Sequence, residues 1–319
     1  MKNNITISVL TIVLVSGIVC SCDVKVNTDD IVQSRHEIIL STSIAKPDVK
    51  ASYQQTNTQL IAGETVNVWI DEIGAGSIPL YENCILTANG HGNLSAGIPM
   101  YYPQNSNAID IFALHSNADI VDRAFPDTKL IHSVSASQRN LDSYVWSDLL
   151  YASRSNVQNT PDEVHIVFYH LLSKVQVALR LDDGLSAADI SGIMIRNTVT
   201  DAWFRLDKEI APAEIEVSPD GAVSDISIGT DISSDFDNPS YNDAIIVPQT
   251  VAAGSAFIVV ELKDGTRLAY LLDRDTDFES GYCYQYHIII TRDEIKVTSQ
   301  VVDWIPGGVV SGEADIVVP

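Results

Sequence analysis

The sequence predicts an all-β protein built as β-sandwiches. Short runs rich in β-branched and aromatic residues recur along the chain and are cut by Gly, Pro, Asn and Asp, a pattern typical of sandwich strands and their turns. Segments with helical periodicity are scarce. The 319 residues also exceed the usual size of one hydrophobic core, so two domains are expected.

The first element is an apolar run from Ile5 to Val19 that follows the basic Lys2. A helix of that length would rise about 22 Å, which is short of the roughly 30 Å of bilayer hydrocarbon. The run therefore predicts a signal peptide over residues 1–21, which is removed from the mature protein.

The next feature is Val19-Cys20-Ser21-Cys22, which resembles a bacterial lipobox. The resemblance implies cleavage between Ser21 and Cys22 and acylation of Cys22, with palmitate among the acyl chains. Several acyl chains on one residue hold a protein firmly in a membrane, so the protein is expected to sit on a membrane without crossing it. The alternative is an ordinary signal peptide.

Residues 22–35 are mostly polar and predict a tether that leads away from the lipid. The net charge of −23 becomes −24 once the signal peptide, with its single lysine, is removed. This excludes nucleic acid as a partner, because binding phosphates needs basic surface. Beyond the tether only Cys84 and Cys283 remain, and we expect two buried free thiols rather than a bridge.

Thirteen further segments carry strand signals. They are Glu37 to Ile44, Val66 to Asp71, Cys84 to Ala88, Ala108 to His115, Val164 to Leu171, Val175 to Leu181, Ile190 to Ile195, Trp203 to Leu206, Ala244 to Val247, Ala256 to Leu262, Arg267 to Leu272, Tyr282 to Thr291 and Ile295 to Trp304.

One segment, Leu141 to Ser153, could form about three helical turns, although its apolar stripe is blurred. The loop composition of Ser155 to Asp162 indicates a domain boundary. We therefore expect an N-terminal domain over residues 36–160 and a C-terminal domain over residues 161–305.

The chain ends in a tail, residues 306–319, in which a Pro-Gly-Gly hinge precedes a short β-prone tip that contains Ile316, Val317 and Val318. An unpaired strand at a chain end can add itself to the sheet of another molecule. The tip is therefore a candidate donor strand. A strand packed on its own domain and a disordered tail are the alternatives.

The search for catalytic motifs gives no basis for an enzyme, a metal site or a cofactor. The close pair His165 and His170 would point to opposite faces of a strand and could not share a metal. Acidic clusters lack the spacing of a calcium loop. A carboxylate pair for glycoside hydrolysis leaves no local signature, so that class stays open. Exposed aromatics that could bind glycan are sought first at Tyr101-Tyr102 and at Tyr282 to Tyr286.

Several segments, taken in order, resemble the fimbrillin family of type V pilins from Bacteroidales-type bacteria. The segments are Gly63 to Ile70, Pro99 to Tyr102 with Pro103, Ala108 to Ala113, Ser147 to Ala152, Val167 to Val175, Ile245 to Thr250, Tyr284 to Ile290 and Val302 to Trp304. The resemblance implies two transthyretin-like β-sandwich domains in tandem and a surface fimbrium that supports adhesion. It also implies that a trypsin-like protease releases the first strand, so that the groove accepts a strand from the next subunit, of the same or a related chain.

In this chain the removable first strand would lie within residues 36–50, where Ile38, Leu40, Thr42 and Ile44 alternate with Ile39, Ser41, Ser43 and Ala45. The candidate cleavage sites are Lys50, followed by Ala51, and Lys46, which Pro47 makes the poorer site. The family has Arg at this position, so an Arg-specific protease would fail here. The alternative function is a non-polymerising outer-membrane lipoprotein, or a pilus anchor, that binds glycan or a host protein.

Overall fold

A computed structural model describes residues 36–45, 59–75, 79–116, 130–182, 184–205, 214–292, 294–304 and 314–316. All of them fall in one unit that begins at Arg35. Six residues of the predicted processing and donor sites lie outside the described residues, namely Ser21, Cys22, Lys46, Lys50, Val317 and Val318.

The described residues up to 170 form short strands and one α-helix. These are β1 (Leu40–Ile44), β2 (Thr65–Glu72), β3 (Tyr81–Ala88), β4 (Leu94–Ala96), β5 (Ile109–His115), β6 (Leu130–Ser133), α1 (Leu141–Trp146), β7 (Leu150–Val157) and β8 (Val164–His170).

The described residues after 170 are also mostly strands, with a 3-10 turn at Ala187–Asp189. These strands are β9 (Ser173–Leu181), β10 (Ile190–Val199), β11 (Asp201–Arg205), β12 (Glu214–Val217), β13 (Val223–Ile228), β14 (Asn242–Ile246), β15 (Gln249–Val251), β16 (Ala256–Leu262), β17 (Arg267–Leu271), β18 (Thr276–Phe278), β19 (Tyr282–Ile290), β20 (Ile295–Asp303) and β21 (Ala314–Ile316). The prediction of an all-β fold is confirmed.

The first sheet has seven strands in the order β1-β8-β7-β5-β2-β3-β4. Only the pair β1 and β8 is parallel; the other neighbours in this sheet are antiparallel. Alternate apolar residues of its strands bury one face, such as Val66, Val68 and Ile70 of β2, because successive side chains of a strand point to opposite faces. They form the first core, together with residues of β1, β5 and β8.

A second core lies between the five-stranded sheet β14-β9-β19-β20-β21 and the four-stranded sheet β13-β10-β16-β17. Aromatic rings meet across it: Tyr286 of β19 lies 5.8 Å from Phe257 of β16 and 5.8 Å from Tyr270 of β17, measured between ring centroids. Side chains from two facing sheets that interdigitate in one cluster are the defining feature of a β-sandwich.

The position of β8 differs from the expectation. The predicted boundary at residue 160 assigns this strand to the C-terminal domain, whereas the structure places it in the first sheet, beside β1. The reason is its apolar face, Val164, Ile166 and Phe168, which packs in the first core. The next two residues, Leu171 and Leu172, pack in the second core. The division into domains stays a prediction.

The predicted helix is shorter than expected. It ends at Trp146, and β7 begins four residues later, at Leu150. Asn140 starts the helix by accepting a hydrogen bond from the Ser143 backbone N–H at 2.9 Å, as N-cap residues do. The chain forms β7 instead of continuing the helix because the alternate side chains Leu150 and Ala152 pack in the first core. In the part of the chain that the structure describes, no helix has the length and apolarity to cross a membrane.

Candidate functional site

The candidate site is the groove that holds the first strand. We define the first strand as residues 36–45 and call its binding site the first-strand groove. On one side the strand pairs with β8 in parallel, in a register that runs from Leu40 opposite Val164 to Ile44 opposite Phe168. Backbone hydrogen bonds reach beyond this register, from the Val164 N–H to the Ile39 carbonyl at 2.8 Å and from the Ala45 N–H to the Phe168 carbonyl at 2.9 Å.

The other side of the first strand is held by the segment that contains β4. The Thr42 N–H donates to the Gly92 carbonyl at 2.6 Å, and the Ile38 N–H donates to the Met100 carbonyl at 2.8 Å. The first strand therefore fills a gap between two sheet edges. Its departure would leave backbone donors and acceptors unpaired along both edges, and another strand could satisfy them.

One face of the first strand is anchored in the first core. Ile38, Leu40, Thr42 and Ile44 are all buried, and Leu40 is only 1% exposed. Burying an aliphatic side chain of this size contributes about 2 kcal/mol. The alternation predicted from the sequence places these four residues correctly, and an empty groove would expose the apolar surface that they cover.

The opposite face of the first strand makes polar contacts with β8. The Ser41 hydroxyl lies 3.1 Å from His165 Nδ1, and the Ser43 hydroxyl lies 3.0 Å from His165 Nε2. A single imidazole is thus bracketed by two hydroxyl groups of the first strand. Ile39 on this face is 42% exposed.

A cavity adjoins the far end of the groove and is lined by residues that include Ile44, His170, Lys174 and Trp304. The His170 ring stacks on Trp304 at 3.8 Å between centroids, and its Nδ1 lies 2.9 Å from the Asp148 carboxylate. His170 is therefore a hydrogen-bonded residue at the edge of the core. Burial alone would raise the pKa of Asp148, but the His170 imidazole, the Leu149 backbone N–H and His115 together outweigh burial and lower that pKa.

A buried ion pair joins β9 to β14 behind this cavity. Lys174 Nζ lies 2.9 Å from the Asp243 carboxylate, and both side chains are almost fully buried. Burial alone would lower the pKa of Lys174, but the Asp243 carboxylate, with further contributions from Tyr144 and Cys283, outweighs burial and holds that pKa well above its ordinary value. Burial raises the pKa of the neighbouring Tyr144 phenol. The sequence reasoning missed this pair, although a lysine beside a run of valines in a strand was a usable signal.

The described part of the tail is β21, which pairs antiparallel with β20, with Ala314 opposite Ser299 and Ile316 opposite Val297. It is the outermost strand of its sheet. Ile316 is the one donor-strand candidate among the described residues. The segment therefore has strand conformation at a sheet edge.

The remaining expectations from the sequence concern tyrosines, cysteines and metal binding. Tyr102, Tyr284 and Tyr286 are buried, so they are core residues rather than an exposed glycan-binding platform. Cys84 and Cys283 are free thiols, as predicted, but only Cys283 is buried, and Cys84 is partly exposed. Among the described residues, no group of three or more His, Cys, Asp or Glu side chains is placed to hold a metal ion.

Known proteins share the sequence pattern and the fold of this chain. A family model described as fimbrillin-like matches residues 52–304. A relative from Bacteroides uniformis, "Putative fimbrium subunit Fim1C", is 23% identical over 257 residues, which cover 77% of this chain and 79% of the relative.

Two crystal structures share the fold, and both carry the description "putative cell adhesion protein". The one from Bacteroides uniformis has a TM-score of 0.61 and 20% identity, over 84% of this chain and 98% of the other. The one from Bacteroides ovatus has a TM-score of 0.62 and 14% identity, over 86% of this chain and 100% of the other.

Proposed function

The chain belongs to the fimbrillin-like family, and on that premise we propose that it is a fimbrial subunit that polymerises by strand exchange on the bacterial surface. The observation that carries the proposal is the position of the first strand. It is buried on its apolar face and paired along both edges, yet only residues 46–58 connect it to the next described residue.

Cleavage after Lys50 or Lys46 would turn the first strand into a separate peptide. While it is covalently attached, the strand is held at a high effective concentration beside its groove, and cleavage removes that advantage. A strand from another subunit can then compete for the same backbone groups and apolar surface. The protease would be trypsin-like, because both candidate sites follow a lysine.

Acylation of Cys22 would account for how the subunit is held at the cell surface before assembly. An acylated Cys22 would anchor the precursor to the outer membrane through the tether of residues 22–35. Because Cys22 precedes the first strand, one cut would release the subunit from the lipid and open its groove together. The same event would therefore free the subunit and make it competent to polymerise. A host receptor for the finished fimbrium is a further expected partner.

The donor strand would come from the tail of another subunit, of the same or a related chain. The strand conformation and edge position of Ala314–Ile316 support this role, since an edge strand leaves its sheet without breaking a ladder on its outer side.

Substitution of both lysines tests the proposal. The full chain is expressed in a host that carries its own envelope protease, as wild type, as Lys46→Gln/Lys50→Gln and as Arg35→Gln. The Arg35 variant is the matched control, because a cut after residue 35 would leave the first strand attached. We expect denaturation-resistant oligomers from the wild type and the control, and lipid-anchored monomers from the double variant. Unchanged oligomers from the double variant would refute the removal of the first strand.

One observation favours a second candidate function. The first strand is fully integrated, and β21 is paired with β20 of the same chain, so the uncut protein needs no partner strand. An uncut chain would act as a pilus anchor or as a surface lipoprotein that binds glycan or a host protein. Monomeric, acylated wild-type protein in the experiment above would favour this role.

A further inference from the structure

The polar face of the first strand suggests what the groove recognises in a replacement strand. His165 contacts two hydroxyls that stand two residues apart, with the Ser41 oxygen 3.1 Å from one ring nitrogen and the Ser43 oxygen 3.0 Å from the other. A neutral imidazole has one donor and one acceptor nitrogen, and hydroxyls can serve either one. The groove thus presents one histidine to two side chains of any strand that fills it.

The tail carries two acids at the same spacing. Glu313 and Asp315 stand two residues apart, and the positions between and beside them are small or apolar, namely Gly312, Ala314, Ile316 and Val318. In a strand, the first pair points to one face and the second set to the other. As a strand in the groove, the tail would therefore offer an apolar face to the buried side and a doubly acidic face to His165.

We propose that the tail of a second copy of this chain binds the first-strand groove antiparallel to β8, with Asp315 and Glu313 in the positions of Ser41 and Ser43, on either side of His165. The inference rests on the proposed strand exchange and adds its register, its direction and its specificity. His165 is the specificity-determining residue, and its ligand is a strand with two carboxylates two residues apart.

The apolar floor selects the direction. In the antiparallel alignment Val318 takes the position of Ile38, Ile316 that of Leu40 and Ala314 that of Thr42. In the parallel alignment that also places the acids beside His165, Gly312 would stand at Leu40, the least exposed of these positions at 1%. An empty site there is the costliest outcome. Antiparallel pairing with β8 is also slightly more stable per residue than the parallel pairing that it would replace.

Charge favours the same partner. The chain has 42 acidic and 19 Lys and Arg residues, so most of its surface repels an acidic strand. Next to His165, however, an Arg154 guanidinium N–H donates to the His165 carbonyl at 2.6 Å. The exposed Glu163 precedes β8 and opposes this attraction in part. Two carboxylates accept hydrogen bonds from both imidazole nitrogens, which requires the cationic ring and gives stronger, charge-assisted bonds.

The test is a peptide exchange assay on the full chain, with a specific protease site placed in residues 46–50 and cut after folding. Labelled peptides of residues 309–319 are titrated by fluorescence anisotropy. We expect the native peptide to bind about tenfold more tightly than a Glu313→Gln/Asp315→Asn peptide. With the His165→Gln protein this preference should disappear. It should persist with His91→Gln, a matched control on an exposed loop.

Two further peptides test the direction. Val318→Asp should weaken binding by more than tenfold, because an aspartate would enter the buried position of Ile38. Val310→Asp should have little effect, because it would fall beyond Ala45. The reverse order of these effects would overturn the antiparallel alignment.

The outcomes separate the two proposals. If native and amide peptides bind equally, strand exchange stands and recognition by His165 is overturned. If no tail peptide displaces the first strand from the cut protein, strand exchange itself falls, and the proposed recognition falls with it.

Discussion

Leu40→Ala should destabilise the uncut protein and leave the cut, strand-exchanged form unaffected. The Leu40 side chain is 1% exposed and belongs to the first core. Its truncation removes buried methylene groups, each contributing about 0.8 kcal/mol, and leaves a cavity. Together these effects lower the free energy of unfolding by about 3 kcal/mol. In an oligomer whose first strand has been replaced, residue 40 is absent, so the same substitution should have no effect.

Urea unfolding measures this difference. The midpoint of the uncut Leu40→Ala protein should fall by about 1 M relative to the wild type, given ordinary dependence on urea. Ile39→Ala is the matched control, because its neighbouring side chain is 42% exposed, and its midpoint should move little. An equal loss in the cut oligomers would refute the reasoning, since it would mean that the first strand remains in its groove.

Three further predictions concern the site around the cavity. Asp243→Ala should lower the free energy of unfolding by about 4 kcal/mol because it leaves Lys174 buried and unpaired. The double variant Lys174→Met/Asp243→Leu should lose much less stability, as measured by thermal unfolding. Equal losses of stability in the two variants would contradict this. Burial raises the pKa of Asp148, but its partners, His170 first among them, outweigh burial and hold that pKa below its ordinary value of 3.8. The stabilisation by these partners is therefore present above about pH 4 and is lost as the pH falls through the lowered pKa. Asp148→Asn should flatten the acid limb of the urea midpoints, and an unchanged limb would refute this. Burial raises the pKa of Cys283 to about 12, so iodoacetamide should label this residue only after unfolding. Rapid labelling of Cys283 in the folded protein, located by peptide mass spectrometry, would contradict that.

Local patterns predicted the first strand well. The alternation from Ile38 to Ile44 fixed which side chains enter the core, since a strand has a period of two residues. The pairing of this strand with β8, 124 positions away in the case of Ser41 and His165, has no local signature. This pairing depends on which apolar faces share a core. For that reason the predicted boundary lies between β1 and β8 in sequence, although the two strands are neighbours in the sheet.

The candidate site was predicted only in part. Charged partners such as Lys174 and Asp243 are 69 residues apart in sequence and meet only because β9 and β14 are adjacent. The segment Leu141 to Ser153 resembles a helix locally, because Leu141, Val145 and Leu149 repeat with helical spacing. From Leu150 onward, tertiary packing overrides that local preference and the chain forms β7. Aromatic residues in strands were ambiguous, since the same tyrosines could anchor a core or face a ligand.

The most direct test of the account is mass spectrometry of the mature N-terminus, on protein taken from its own cell envelope and separated by oligomeric state. The account predicts that denaturation-resistant oligomers start at Ala51, or at Pro47, and lack the lipid. An acylated Cys22 at the start of chains within those same oligomers would contradict it, because the first strand would then still be attached to every subunit.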